Sequence, residues 1–161
     1  MAVDLFLKIP EIPGESQKDK HANEIDIQSF SFGASNTSNF AQGGAGGGAG
    51  KANFQDVSLV KWVDKTSPKL FQACAAGTHF KSMTFTSQKA GDKPLVYYTL
   101  ELGDVMVSSI SNSGAGEGDA LHESLTLNYA TIKFVYTEQK SDNTAGPKTE
   151  AAFDVRTNKK I

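Results

Sequence analysis

The chain is poor in cysteine, in net charge and in long apolar runs, and each shortage removes a class of function. A single cysteine, Cys74, stands among 161 residues. One thiol cannot close an internal disulfide, so the fold needs no oxidising compartment, and assembly in a reducing cytoplasm is expected. Lys and Arg number 16 against 18 Asp and Glu, a formal net charge of −2. That near balance speaks against a nucleic-acid partner or an anionic membrane surface, both of which select for a basic excess. No stretch approaches the ~20 apolar residues of a membrane helix, so no membrane insertion is expected. The opening MAVDLFLKIPEIPGES has no basic stretch leading into a long apolar one, because Asp4 and Lys8 interrupt it. The expectation is a protein without a Sec-type signal, exported only by a dedicated machine.

Catalytic motifs are equally scarce. The segment Ala45–Ala52 comes close to a phosphate-binding loop, but Ala52 stands where Ser or Thr would hold magnesium. The next segment, Asn53–Val63, has strand character, so no helix N-terminus backs the glycines, and Ala45–Ala52 reads as a plain glycine-rich loop. His21, His79 and His122 lie far apart and lack metal-ligand spacing. Each reads as a surface or interface residue, His21 in a solvated Lys18–His21 run. No G-x-S-x-G elbow is present, and Cys74 falls on the packed face of a helix, where a small buried residue is expected. The chain carries no sign of catalysis and calls for no cofactor or metal.

What is present is alternation, the mark of half-buried strands. Strands are expected at Val3–Ile9, Ala22–Gly33, Ala52–Val63, Lys81–Gln88, Pro94–Ile110, Leu121–Tyr136 and Ala151–Arg156. Parity changes between Ile27 and Phe30 and again after Ala130, so those strands bulge or serve two faces. One helix, about residues 67–77, stands out. Ser67 suits its N-cap, Pro68 its first turn and Gly77 its left-handed end. Leu70 with Cys74, and Phe71 with Ala75, would lay an apolar stripe on the sheet. Two loops remain, Gln139–Lys148 and the longer glycine-rich stretch of about 34–52. The fold class is mostly β: one compact antiparallel β-barrel or sandwich over residues 1–161, with one flanking α-helix. The polar strand faces are hydroxyl-rich rather than charged: Ser29, Ser31, Ser108, Ser109, Ser124, Thr126 and Asn128. Such a face suits a channel lining or a polar interface as well as ordinary exposed sheet.

Five segments, in order and nearly end to end, resemble the hemolysin-coregulated protein (Hcp) family, the tube subunit of the bacterial type VI secretion system. They are MAVDLFLKI with the nearby GES; HANEIDIQSFSFGAS; the glycine-rich loop running into GKANFQDVSLVKWVDKTSPKLFQACAAGTHF; VSSISNSGAGEGDALHESLTLNYATIKFVY; and the closing FDVRTN. The resemblance implies a barrel with one flanking helix, six copies of which form a ring. Rings stack into a tube inside a contractile sheath, capped by a spike, and carry small effector proteins in the lumen. It aligns Ser31 with a small polar residue facing that lumen. It also implies a ring-stacking role for the loop containing Gly43, Gly44, Gly46, Gly47, Gly48, Gly50 and Lys51, a loop unusually rich in Gly and Ala. A contractile-phage tail-tube subunit would share the architecture. An alternative from another class is a soluble β-barrel binding a small apolar ligand, which would need an apolar interior cavity.

Overall fold

The computed structural model describes residues 2–37 and 50–161. The alternating segments form β1 (Val3–Lys8), β2 (Ile25–Ile27), β3 (Ser29–Ser31), β4 (Ala34–Asn36), β5 (Ala52–Phe54) and β6 (Val57–Trp62). After helix α1 (Ser67–Ala76) come β7 (His79–Lys89), β8 (Leu95–Ser113), β9 (His122–Gln139), β10 (Ala145–Asp154) and β11 (Lys159–Lys160).

All pairings are antiparallel, and β9 is the branch point. It pairs with β8 along nearly its whole length, with β6 through its first half and with β10 through its second. From β8 the ladder continues through β7 and β1 to β2. The chain then passes Gln28, whose N–H donates to the carbonyl of Val60 at 2.8 Å, and becomes β3, which pairs with β6. One short segment thus pairs with β1 through β2 and with β6 through β3, giving a barrel-like fold. Here lies the cause of the first parity change. Ile25 and Ile27 are buried on β2, and after Gln28 it is Phe30 that packs on the core.

The second parity change has a similar origin. Leu102 opposes Ile132 and Val105 opposes Tyr129, so β8 and β9 switch faces at the same level. Asp104 sits there with φ 49, in the left-handed region, and the Ala130 carbonyl accepts from Val155 N–H at 2.8 Å. Both strands roll over together without losing register. Interior space is filled by aliphatic residues and by ring contacts joining Phe30, Phe85, Tyr98 and Phe134.

Several local expectations need correction. Thr66, not Ser67, is the residue before the helix, and it makes no side-chain cap. The Ser67 hydroxyl instead accepts from the Asp64 N–H at 3.0 Å and is drawn into the interior by charged neighbours. Gly77 does adopt the left-handed end, with φ 65, while Thr78 N–H reaches back to Ala73 O at 2.9 Å. The buried stripe is Leu70 and Ala73, with Cys74 half-buried beside it; Phe71 is 65% exposed and Ala75 is exposed. A helix on the flank of a barrel covers only one narrow face, so the second apolar pair is left outside. The glycine-rich stretch is shorter than 34–52, because β4 and β5 pair as a two-stranded ribbon at its ends. The loop after β9 is likewise short: Ala145–Lys148 already belongs to β10, with a register shift that absorbs Gly146 and Pro147.

Candidate functional site: a hydroxyl-lined sheet face

Where β3, β6, β9 and the end of β8 lie side by side, their outward positions line up in rows. Ser31, Ser58, Thr126 and Ser109 are successive register partners across the four strands. The adjacent row is Ser29, Val60, Ser124 and Ser111. One step further, Trp62, His122 and Ser113 end the face. Neighbouring strands are ~4.8 Å apart, so the rows place hydroxyls of adjacent strands side by side.

At the opposite end of β6 the face is tied to one carboxylate. Ser108 Oγ donates to Asp56 Oδ2 at 2.6 Å, and Asn128 Nδ2 donates to Asp56 Oδ1 at 2.9 Å. Thr126 Oγ1 lies 2.7 Å from Ser108 Oγ and 2.6 Å from Ser109 Oγ. Ser108 reaches this side because the register shifts between Val107 and Ser109 and presents two adjacent serines to one threonine. Behind Asp56, the Tyr129 hydroxyl donates to Gln55 O at 2.8 Å. Burial, and then the Asp56 carboxylate, push that phenol up to about 12. At the Trp62 end, His122 lies against the indole with ring centroids 4.3 Å apart, and its Nδ1–H donates to Gln28 Oε1 at 3.2 Å.

The reverse side of the same strands is apolar except at one point. Lys61 and Glu123 are register partners facing inward, and both side chains are wholly excluded from solvent. Lys61 Nζ also reaches Asp64 Oδ1 at 3.0 Å and Ser67 Oγ at 3.1 Å, and Ser67 in turn donates to Glu123. This network fastens the start of the helix to the back of the hydroxyl face.

The structure places the expected site residues unevenly. Ser31 is exposed and points away from Phe30 and Phe32, both of which pack on the core. Gly43, Gly44, Gly46, Gly47 and Gly48 lie outside the described residues. Gly50 accepts a hydrogen bond from Asn36 Nδ2 at 3.0 Å, and Lys51 is exposed. His21 is not a solvated residue. It is buried, stacked on Phe6 at 4.4 Å, and its ring nitrogens lie 2.9 Å from Glu24 Oε2 and 3.0 Å from Gln88 Oε1. The charged run around it concealed that inward turn. Asp56, Ser58 and Trp62 escaped notice as site residues, although the alternation Ser58-Val60-Trp62 against buried Val57 and Leu59 carries the signal. Among the described residues no group of three or more His, Cys, Asp or Glu is placed to hold a metal, and no helix is long and apolar enough to cross a membrane.

Comparison with known proteins gives a consistent result. The family described as "Type VI secretion system effector, Hcp" matches residues 6–136. The protein named hcp1 of Pseudomonas aeruginosa is 42% identical over 160 residues, covering 98% of each chain. A solved structure of a type six secretion system protein superposes with a TM-score of 0.92 at 31% identity, over 99% of this chain and all of the other. Hcp1 from Salmonella typhimurium superposes with a TM-score of 0.80 at 33% identity, covering 100% of both chains.

Proposed function

The chain belongs to the Hcp family and is a structural subunit of the type VI secretion tube, and on that premise we propose that six copies close head to tail into a ring whose channel wall is the hydroxyl face. The observation that carries this reading is the pair of free edges at the two ends of that face. β3 is bonded on one side to β6, and among the described residues no strand pairs its other side. β7 accompanies β8 only as far as Met106, so among the described residues Val107–Ser113 is laddered on the β9 side alone. An exposed strand edge is a template for pairing with another chain. Two different edges on one molecule make a heterologous contact, which generates a ring when the rotation closes. Pairing them would continue the rows of hydroxyls from one copy into the next.

In this reading Ser31 faces the lumen and contacts small effector proteins carried there. The loop with Gly43, Gly44, Gly46, Gly47, Gly48, Gly50 and Lys51 joins stacked rings, and a contractile sheath and a spike protein complete the machine. The protein acts without catalysis, assembles in the cytoplasm and is then secreted with the tube. Light scattering on the purified protein tests the ring, since a six-fold mass is expected and a strict monomer at high concentration overturns it. Replacing Ser31 with Gln tests the wall. Fold stability should change by no more than ~0.5 kcal/mol, as for other exposed substitutions. Cargo co-purification should fall, and unchanged retention on an intact ring would remove Ser31 from the wall.

A further inference from the structure

The hydroxyl face is neutral along its rows, and what polarity it has is of one kind. Its outward positions on β3, β6, β9 and β8 are Ser, Thr, Asn, Val, Met, Trp and His, with no Lys or Arg among them. Asp56 borders one end, its two carboxylate oxygens held by Ser108 and Asn128. Trp62 closes the other end, six residues along the chain, a span of about 20 Å at the rise of a strand. His122 covers part of the indole, yet Trp62 stays 43% exposed. A carboxylate attracts cations by charge, and an indole face attracts them through its ring quadrupole.

We propose that this face is a binding surface for cationic side chains, arginine above all, so that the wall favours cargo or peptide segments presenting guanidinium groups spaced along its length. The proposal deepens the channel-wall reading and rests on it for the identity of the ligand's owner, a protein carried in the ring. Guanidinium suits both ends of the face. It can stack on Trp62, it can add to the bonds that the half-exposed Asp56 carboxylate accepts from Ser108 and Asn128, and its fork of N–H donors matches the acceptor hydroxyls between them. Seryl and threonyl oxygens act as donors or acceptors as required, so the rows between the two anchors accommodate such a segment without dictating its sequence.

Trp62 is the only tryptophan in the chain and therefore reports directly on this face. Its fluorescence is titrated with a nona-arginine peptide, a nona-glutamate peptide and an uncharged Gly-Ser peptide of equal length, while light scattering records the assembly state of each sample. A saturable change with nona-arginine, weakened by added salt, and no response to the other two is expected. Asp56→Asn should weaken nona-arginine by roughly five-fold, the scale of one exposed cation contact, and Asp56→Glu should restore most of it. Because loss of the Ser108 and Asn128 bonds could disturb folding, thermal melting accompanies each variant, and Trp62→Leu, read by anisotropy of labelled peptide, gives an independent measure. Equal binding of the glutamate or Gly-Ser peptide, or no effect of either Asp56→Asn or Trp62→Leu in folded protein, overturns the proposal. A protein that stays monomeric yet prefers nona-arginine retains the cation surface and removes the channel reading, so the two failures are separable.

Discussion

Lys61 and Glu123 stand directly opposite each other on β6 and β9, with Nζ 2.9 Å from Oε2 and neither side chain reachable by solvent. An ion pair in such a place is held by geometry rather than by attraction alone, since removing two charges from water costs several kcal/mol each. Its benefit lies in position: Lys61 bridges Glu123 to Asp64 and Ser67, so one ammonium group joins two strands to the first turn of α1.

Replacing Lys61 with Met leaves the Glu123 carboxylate buried beside only a serine hydroxyl. A loss of about 3–5 kcal/mol is expected, measured by urea unfolding. Adding Glu123→Met should recover much of that loss, because an apolar pair of similar volume satisfies the interior. A double variant no more stable than the single one would show that Ser67 and Asp64 carry the network instead.

Asp26 is a surface carboxyl whose pKa is raised from its ordinary 3.8 by desolvation first, and then by the charges of Asp64, Asp4 and Glu15. The folded chain therefore binds this proton more tightly than the unfolded chain. The stabilisation it contributes is complete below pH 3.8 and is lost as pH rises through the raised value. Asp26→Asn should raise the melting temperature at pH 7, and that gain should vanish at about pH 3. An equal gain at both pH values would separate the effect from ionisation.

Tyr129 has the corresponding behaviour at the alkaline end. Its phenol titrates near 12 in the fold against 10 when free, so stability attached to the proton is intact below pH 10 and falls away between 10 and 12. Tyr129→Phe removes the bond to the Gln55 carbonyl and should cost about 1–2 kcal/mol at neutral pH. The variant should also lose less stability than the parent between pH 10 and 12. Parallel alkaline melting curves would refute the assignment.

Deleting Gly43–Gly48 should leave ring formation intact and weaken stacking of rings, as read by electron microscopy of the assembled material. Glycines lose the most conformational entropy on ordering, so removing them takes away little that the subunit's own core needs. Unfolding of the subunit on deletion would place the segment in the core.

Alternation was enough to expose most strands, both parity changes and the outward hydroxyls, because side-chain direction in a strand reverses with every residue whatever the neighbours are. The same periodicity placed Ser31 opposite Phe30 and Phe32. Pro68 and Gly77 marked the helix for equally local reasons, the one tolerated in a first turn and the other free to adopt φ 65. Tertiary structure decided the rest. Whether Lys61 continued the inward row of Val57 and Leu59 as a buried cation depended on Glu123 arriving opposite it from 62 residues away. His21 was drawn from a charged run into a buried site by Gln88 on β7, and Phe71 was left outside because the barrel wall reaches only one side of the helix. Local sequence sets which way a side chain can point, but what it meets there is set by strands distant along the chain, and only the folding of the sheet brings those together.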